Sequence, residues 1–314
     1  MPPDIIVVSY NSAEDIRGCI ASILANSARP IVVDNGSTDS TLQILATEFP
    51  QVAVFRNASN SYSGAANLGF ANSAGDAVIL SNADVVYPAN SIARLVEYLR
   101  SHSRIAVLGP QQVYPDNSWQ RSWGVPTSLR EALLELFFVT TLYNALRSAL
   151  WPLRVNRRAL NVGYVDGAVM AIRRSAFDAI GGFDERFPFS AEETDFCVRA
   201  RRAGWRVVSL PTVDVEHRRG GSSSRRNWSL DYTTAVLLDG TRRFVQKYHG
   251  SLFGKCYFAI KALFNLNMML VCEVGWRLAP ASLRAVLQRK AQVHRSYWNH
   301  LGPGGKRAVV RSSA

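Results

Sequence analysis

Apolar residues along this chain come in short continuous runs, each ending in polar residues and separated from the next by a stretch with helical spacing. Asp4-Ile-Ile-Val-Val-Ser-Tyr-Asn11 opens the series, Pro30-Ile-Val-Val-Asp34 repeats it and Val52-Ala-Val-Phe55 is a shorter third run. Ala77-Val-Ile-Leu-Ser-Asn-Ala-Asp-Val85 is a fourth, running into Asn82 and Asp84 ahead of Pro88, and Ala106-Val-Leu-Gly109 begins a fifth. Unbroken runs of this length predict strands covered on both faces. Between them, Ile16, Cys19, Ile20, Ile23 and Leu24 recur at helical spacing behind Ser12, an expected N-cap. Leu42, Leu45 and Phe49 predict a second helix. After a polar loop at 57–64, residues 65–71 predict a small-residue helix, and a further helix is expected at about 92–100. Strand and helix in alternation predict an α/β fold with a mostly parallel, doubly wound sheet.

The polar tips carry the first functional signal. Asn11, Asp34, Asn60 and Asp84 each stand at or just beyond the C-terminal end of an expected parallel strand. Such ends share one edge of the sheet, which is where open α/β sheets bind ligands. Asp84 has two readings there: ligand to a divalent metal on a diphosphate, or cap of the following helix.

Composition narrows the class. The 314 residues are 47% hydrophobic and 19% charged, as in a folded protein with ample core. Cys19, Cys197, Cys256 and Cys272 are scattered without zinc or redox spacing; three of them lie among apolar neighbours and are expected as core residues in a reducing compartment. No signal peptide is evident before the first strand. Charge is uneven: residues 1–224 hold 21 basic and 21 acidic residues, whereas 225–314 hold 15 and 3, so the whole +12 sits there.

A neutral body with a basic tail implies an anionic partner. Long apolar runs in the tail and the lack of a recognition motif argue against nucleic acid. Two apolar segments exceed what the sheet needs. Residues 129–151 predict an amphipathic helix or pair inserted at about 127–152. The stretch 256–278 reaches spanning length, but Lys261, Asn265, Asn267 and Glu273 interrupt it. With basic flanks and Trp276, Tyr297 and Trp298, it is expected to lie on an anionic membrane surface or to pack on the sheet or a second subunit, as in a homodimer. The expected organisation is a domain of 1–224 and a helical region of 225–314.

Taken together, Val7-Val-Ser-Tyr-Asn11, Val33-Asp-Asn-Gly-Ser-Thr-Asp39, Asn67-Leu-Gly69, Leu80-Ser-Asn-Ala-Asp84, Gly181-Gly-Phe-Asp-Glu185, Glu192-Glu-Thr-Asp-Phe-Cys-Val-Arg199 and His217 resemble, in order, the motifs of inverting glycosyltransferases of family 2. That resemblance implies the nucleotide-sugar-binding fold called GT-A over about residues 4–222. It implies that Ser9, Tyr10, Asn11, Asp34, Asn60, Asn67 and Asn82 bind the donor nucleotide. Asp34 would accept hydrogen bonds from the base or ribose, as an acceptor-only carboxylate can. It implies that Asp84, the last acid of a motif weakened to Asn82-Ala83-Asp84, binds Mg²⁺ or Mn²⁺ with His217; the alternative for His217 is a satisfied loop histidine.

On the acceptor side, the resemblance implies contacts from Asp166, Gly167 and Ala168, although Asp166 can equally end a strand. It assigns the general base to the Glu192–Glu193 pair, with Glu193 in a place where the family has Asp. The competing reading is three acids stabilising a helix N-terminus. Residues 218–226 are expected to form a basic, glycine-rich loop over the diphosphate. The implied activity is sugar transfer, most like that of bacterial rhamnosyltransferases, from dTDP-rhamnose or a UDP-sugar to a glycan or lipid-linked glycan at the cytoplasmic face of the plasma membrane. The alternative is a binding protein that has lost catalysis.

Overall fold

The continuous apolar runs do form strands. In the computed structural model, which describes residues 2–58, 60–153, 157–218 and 229–302, they are β1 (Asp4–Ser9), β2 (Arg29–Asp34), β3 (Ala53–Arg56) and β4 (Ala77–Asn82). These alternate with α1 (Ile16–Ala25), α2 (Thr41–Glu48) and α3 (Tyr62–Ala71). Next come β5 (Val85–Val86), α4 (Ser91–Ser101), β6 (Ile105–Val113), β7 (Trp123–Gly124), α5 (Leu129–Leu136) and α6 (Val139–Leu150). They are followed by β8 (Leu160–Asn161), β9 (Tyr164–Val165), β10 (Val169–Arg173), α7 (Arg174–Ile180), α8 (Glu192–Arg202) and β11 (Arg206–His217). The helices α9 (Leu230–Tyr248), α10 (Gly250–Leu278) and α11 (Ala281–Leu301) complete the described chain.

The main sheet runs β3-β2-β1-β4-β10-β6-β11-β5, with β8 also paired to β11. Its first four strands are parallel, so the tips of β1, β2, β3 and β4 do lie along one edge. Successive side chains alternate between two layers. Ile5, Val7, Val32 and Ile79 pack with Ile16, Ile20, Leu95 and Leu99 on one face. Ile6, Val33, Leu80 and Met170 pack with Phe70, Phe177 and Phe196 on the other. Cys19, Cys197 and Cys272 are buried free thiols, as expected.

Two local expectations need correction. Ser12 does not cap α1 through its side chain: the helix starts at Ile16, and the Ser12 carbonyl accepts from Asp15 and Ile16 N–H. The small-residue helix starts earlier than expected, at Tyr62, because Ser61 acts as N-cap and accepts from Gly64 N at 2.9 Å. Polar composition at 57–64 had concealed a helix start.

The last strand departs from simple pairing. β11 runs parallel to β6, but its register jumps from Leu210↔Pro110 to Asp214↔Gln111. Three residues are extruded there, beside a proline that has no N–H for the ladder. Arg157 clamps the irregularity by binding both Pro211 O and Asp214. Past it, β11 continues to β5 in antiparallel register, Val85 opposite His217 and Val86 opposite Glu216.

By contacts the chain divides into residues 1–126 with 146–226, and residues 127–145 with 227–314. The second unit is helical. In it α10 spends three of its polar interruptions on neighbours: Lys261 pairs with Glu135, Asn265 Oδ1 accepts from His294 Nδ1 at 2.8 Å, and Glu273 pairs with Arg295. Among the side chains α10 exposes are the apolar Leu263, Leu270, Val271, Val274 and Leu278. At 29 residues, this helix is long and apolar enough to cross a membrane by length and composition.

Helix α3 lies so close to β1 that a Cβ on Gly69 would stand 2.3 Å from Ile6 Cγ2. Gly69→Ala therefore forces helix and sheet apart, and a loss of about 1–3 kcal/mol in urea-unfolding stability is expected.

Candidate active site

The pairing of β5 with β11 builds the first half of the site. Asp84 directly precedes β5 and His217 ends β11, so the register sets them side by side, and Arg218 N donates to Asp84 O at 3.1 Å. Both side chains are buried, with His217 Nε2 3.5 Å from Asp84 Oδ1. On its other nitrogen, His217 Nδ1 lies 2.9 Å from Gln112 Oε1 and 2.7 Å from Gln120 Oε1. A carboxylate and an imidazole nitrogen on one wall are donors suited to Mg²⁺ or Mn²⁺. Among the described residues no three His, Cys, Asp or Glu side chains converge as a ready-made cage. Two protein ligands suffice for a hard cation that also takes diphosphate oxygens and water.

Along the same sheet edge lie the residues expected to meet the nucleoside. Asp34 is fully buried, and its carboxylate accepts from Ser9 Oγ at 3.0 Å, Ser37 Oγ at 2.5 Å, Gly36 N at 3.1 Å and Ser37 N at 2.9 Å. Those four bonds take the acceptor positions a carboxylate offers, so Asp34 holds the loop after β2 in shape. Asn11, at φ 46°, closes the same loop by accepting from Thr38 N at 2.7 Å, while its own N–H donates to Ser37 Oγ at 2.9 Å. Tyr10 is half-buried beside it. Asn60, at φ 41°, precedes the N-cap of α3.

Asn67 is used elsewhere. Its amide donates to Phe183 O at 3.0 Å and Glu185 Oε1 at 2.9 Å and accepts from Phe183 N at 2.9 Å. It therefore anchors the Gly181–Glu185 loop to α3. Asn82 N donates to Ala168 O at 2.9 Å, which ties the end of β4 to the turn before β10.

That turn and α8 hold the residues expected on the acceptor side. The entry to α8 is strained, with Ser190 at φ 80° and Ala191 at φ 67°, at a cost of about 1–3 kcal/mol each. Its three acids have different fates. Asp195 is fully buried and paired with Arg199 at 2.8 Å, so the helix-stabilising role falls to it. Glu193 is half-buried and accepts from Thr194 Oγ1 at 3.2 Å. Glu192 is buried, and its Oε2 has no hydrogen-bond partner among the described residues. Gly167 packs against both; a Cβ there would be 3.5 Å from Glu193 Cβ and 3.9 Å from Glu192 Oε1. Tyr62 OH donates to Gly167 O at 2.7 Å, and Asp166 Oδ1 accepts from Ala168 N at 3.1 Å and Gln112 Nε2 at 3.4 Å.

This crowding of buried acids disfavours their charged forms. Burial, then the Asp166 charge, pushes Glu193 up to about 7. Burial, then Glu193, raises Glu192 well above the carboxylate range. Burial and the same acids hold Tyr62 neutral by raising its pKa. A carboxylate poised near neutrality beside a protonated neighbour is suited to general-base chemistry.

The two halves are continuous: Asp84 faces His217, which bonds Gln112, which reaches Asp166 beside Gly167 and the glutamates. Neither Gln112, Gln120 nor Tyr62 is flagged by any motif. The available signal was two adjacent amides, Gln111-Gln112, inside an apolar strand, because buried amides require partners. In the expected diphosphate loop at 218–226, residues 219–226 lie outside the described residues.

Comparison with known proteins identifies the family and the fold. The family model described as glycosyl transferase family 2 matches residues 4–181. The chain is 30% identical over 237 residues to N-acetylglucosaminyl-diphospho-decaprenol L-rhamnosyltransferase of Mycobacterium tuberculosis, covering 70% of this chain and 77% of the relative. It is 21% identical to the O-antigen chain rhamnosyltransferase WbaN of Salmonella anatum, covering 86% of each. The mannosyltransferase PcManGT from Pyrobaculum calidifontis, solved in complex with GDP-Man and Mn²⁺, shares the fold with a TM-score of 0.54 and 16% identity, over 95% of this chain and 85% of that one.

Because Glu193 titrates near 7 in the folded chain and near 4.5 when unfolded, the native state holds a proton that the unfolded state releases between those values. The associated stability is complete below about 4.5 and lost as pH rises through about 7. Glu193→Gln removes that loss, so its melting temperature should exceed the wild type's at pH about 8 and converge with it at pH about 5 in thermal scans.

Proposed function

The chain belongs to glycosyltransferase family 2, and on that premise we propose that it is an inverting rhamnosyltransferase. In this reading it moves L-rhamnose from dTDP-rhamnose to a hydroxyl of a lipid-linked glycan. The observation that carries the proposal is the continuity of the site: Asp84, just before β5, faces His217 at the end of β11, and Gln112 links His217 to Asp166, beside Gly167 and the Glu192–Glu193 pair that starts α8. Donor-phosphate groups and a base thus share one cleft edge, as direct displacement requires. The rhamnose donor is supported by two relatives named as rhamnosyltransferases, and the lipid-linked acceptor by the diphospho-decaprenol in the name of one.

In the proposed reaction Glu193 takes the proton of the acceptor hydroxyl as that oxygen bonds the anomeric carbon. The bond from that carbon to the diphosphate oxygen breaks at the same time, which inverts the centre and releases the nucleoside diphosphate. Asp84 and His217 would hold a Mg²⁺ or Mn²⁺ ion, which when bound supplies positive charge against the diphosphate. Asp34 acts through the loop it shapes, so the nucleoside meets that loop together with Tyr10, Asn11 and Asn60. Asp166 and the Gly167–Ala168 backbone orient the acceptor. Glu192, kept protonated by burial beside Glu193, leaves a single negative charge for the base.

The helical unit fits a role at the bilayer. Three of its polar interruptions are internally paired, α10 exposes several large apolar side chains, and Lys255, Arg277, Arg284, Arg289 and Lys290 are exposed. This combination suits a helix resting in the interface of an anionic leaflet. Vesicle co-sedimentation should show binding to phosphatidylglycerol-containing vesicles at low salt, with weaker binding to neutral vesicles and at high salt. Equal binding to both vesicle types would remove the electrostatic part of the reading.

Glu193→Gln is expected to cut transfer by about 10²–10⁴-fold while leaving nucleotide binding intact. Transfer assays alongside a thermal-shift panel of dTDP-, UDP- and GDP-sugars with Mn²⁺ check both points. Near-normal turnover would remove Glu193 as the base, and stabilisation by UDP-sugars alone would replace the donor.

A further inference from the structure

Three glutamines are buried where β6 meets the segment before β7: Gln111, Gln112 and Gln120, each no more than 1% exposed. Burying an amide is costly unless its groups are bonded, so their partners are informative. Gln111 has a local use, donating from Nε2 to Gln112 O at 2.7 Å and Gln120 O at 2.6 Å, which staples the two segments. Gln112 and Gln120 instead direct their side chains at His217.

Hydrogen-bond chemistry fixes the direction of both amides. Gln120 Nε2 donates to the His217 carbonyl at 3.1 Å. Turning that amide over would set two carbonyl oxygens against each other. Gln112 Nε2 faces Asp166 Oδ1 at 3.4 Å, and turning it over would set its oxygen against a carboxylate. Each amide oxygen must therefore face His217 Nδ1, where they lie at 2.9 and 2.7 Å. An amide oxygen only accepts, so Nδ1 must carry a hydrogen. In a neutral imidazole the lone pair is then on Nε2, the atom 3.5 Å from Asp84 Oδ1.

We propose that Gln112 and Gln120 are positioning residues that select the Nδ1–H tautomer of His217 and hold its ring so that the Nε2 lone pair faces the Asp84 side of the site. The proposal rests on the reading of Asp84 and His217 as cation ligands, for which a fixed tautomer is what a nitrogen ligand needs. It also gives Gln112 a second task. Its amide joins His217, on the donor-phosphate side, to Asp166, on the acceptor side, so one side chain sets the spacing of the two halves.

Nitrogen-15 NMR of the full chain tests this without turnover. The ring signals of His217, assigned by their loss in His217→Asn and recorded at alkaline pH, are expected to show a protonated Nδ1 and a bare Nε2. In Gln112→Leu/Gln120→Leu the population should move toward the Nε2–H form, and Mn²⁺ affinity measured by electron paramagnetic resonance should fall about 10–100-fold. Gln120→Leu alone, which leaves the Gln112 oxygen facing Nδ1, should keep the wild-type tautomer. A wild-type His217 protonated at Nε2, or a double-leucine chain with an unchanged tautomer, overturns the proposal. Should the double variant not fold, the wild-type spectrum decides alone. A wild-type chain that binds no Mn²⁺ overturns the cation reading, while the tautomer still decides the role of the glutamines.

Discussion

The site depends on a two-residue ladder. β5 is only Val85–Val86, yet its antiparallel pairing with the end of β11 brings His217 beside Asp84 and sets Arg218 N on the Asp84 carbonyl. That pairing is possible because β11 extrudes three residues between Leu210 and Asp214, with Arg157 bound on both sides of the break. A strand running on in its first register would shift every later side chain by an odd number of positions and turn it to the opposite face. The irregularity therefore sets which way His217 points, toward Asp84, Gln112 and Gln120.

Around this ladder, electrostatics separates residues that look alike in one dimension. Four acids gather within a short reach of one another: Glu192, Glu193, Asp195 and Asp166. Asp195 obtains a guanidinium and becomes part of the framework. Burial and mutual repulsion, with the Asp166 charge close by, raise both glutamates, and Glu193 comes to rest near neutrality. The backbone at Ser190 and Ala191, both at positive φ, is strained just where this helix begins.

The helical unit resolves an apparent contradiction in its own sequence. Lys261, Asn265 and Glu273 lie in an otherwise apolar helix, which makes the segment look ill-suited to lipid. Each of them turns toward a partner on α5 or α11. The exposed surface of α10 is left more apolar than the linear composition suggests.

Much of this was legible in the chain itself. Buried runs such as Ile5–Val8 and Val78–Leu80 can only be inner strands, since the backbone must pair and every side chain must be covered, so the parallel sheet and its line of polar tips followed from patterning. The ordered motifs carried the family, which matched residues 4–181. What tertiary structure alone decided is how each polar group is spent. Asp34 and Asn67 look like ligand contacts in sequence, but their atoms are engaged by the loops around them. Gln112 and Gln120 look like nothing, yet they orient His217 from a strand and a loop far away in the chain. Local sequence encodes periodicity and residue type, which settle where a strand lies; hydrogen-bond partners are set by contacts between distant segments, and those exist only once the sheet has closed.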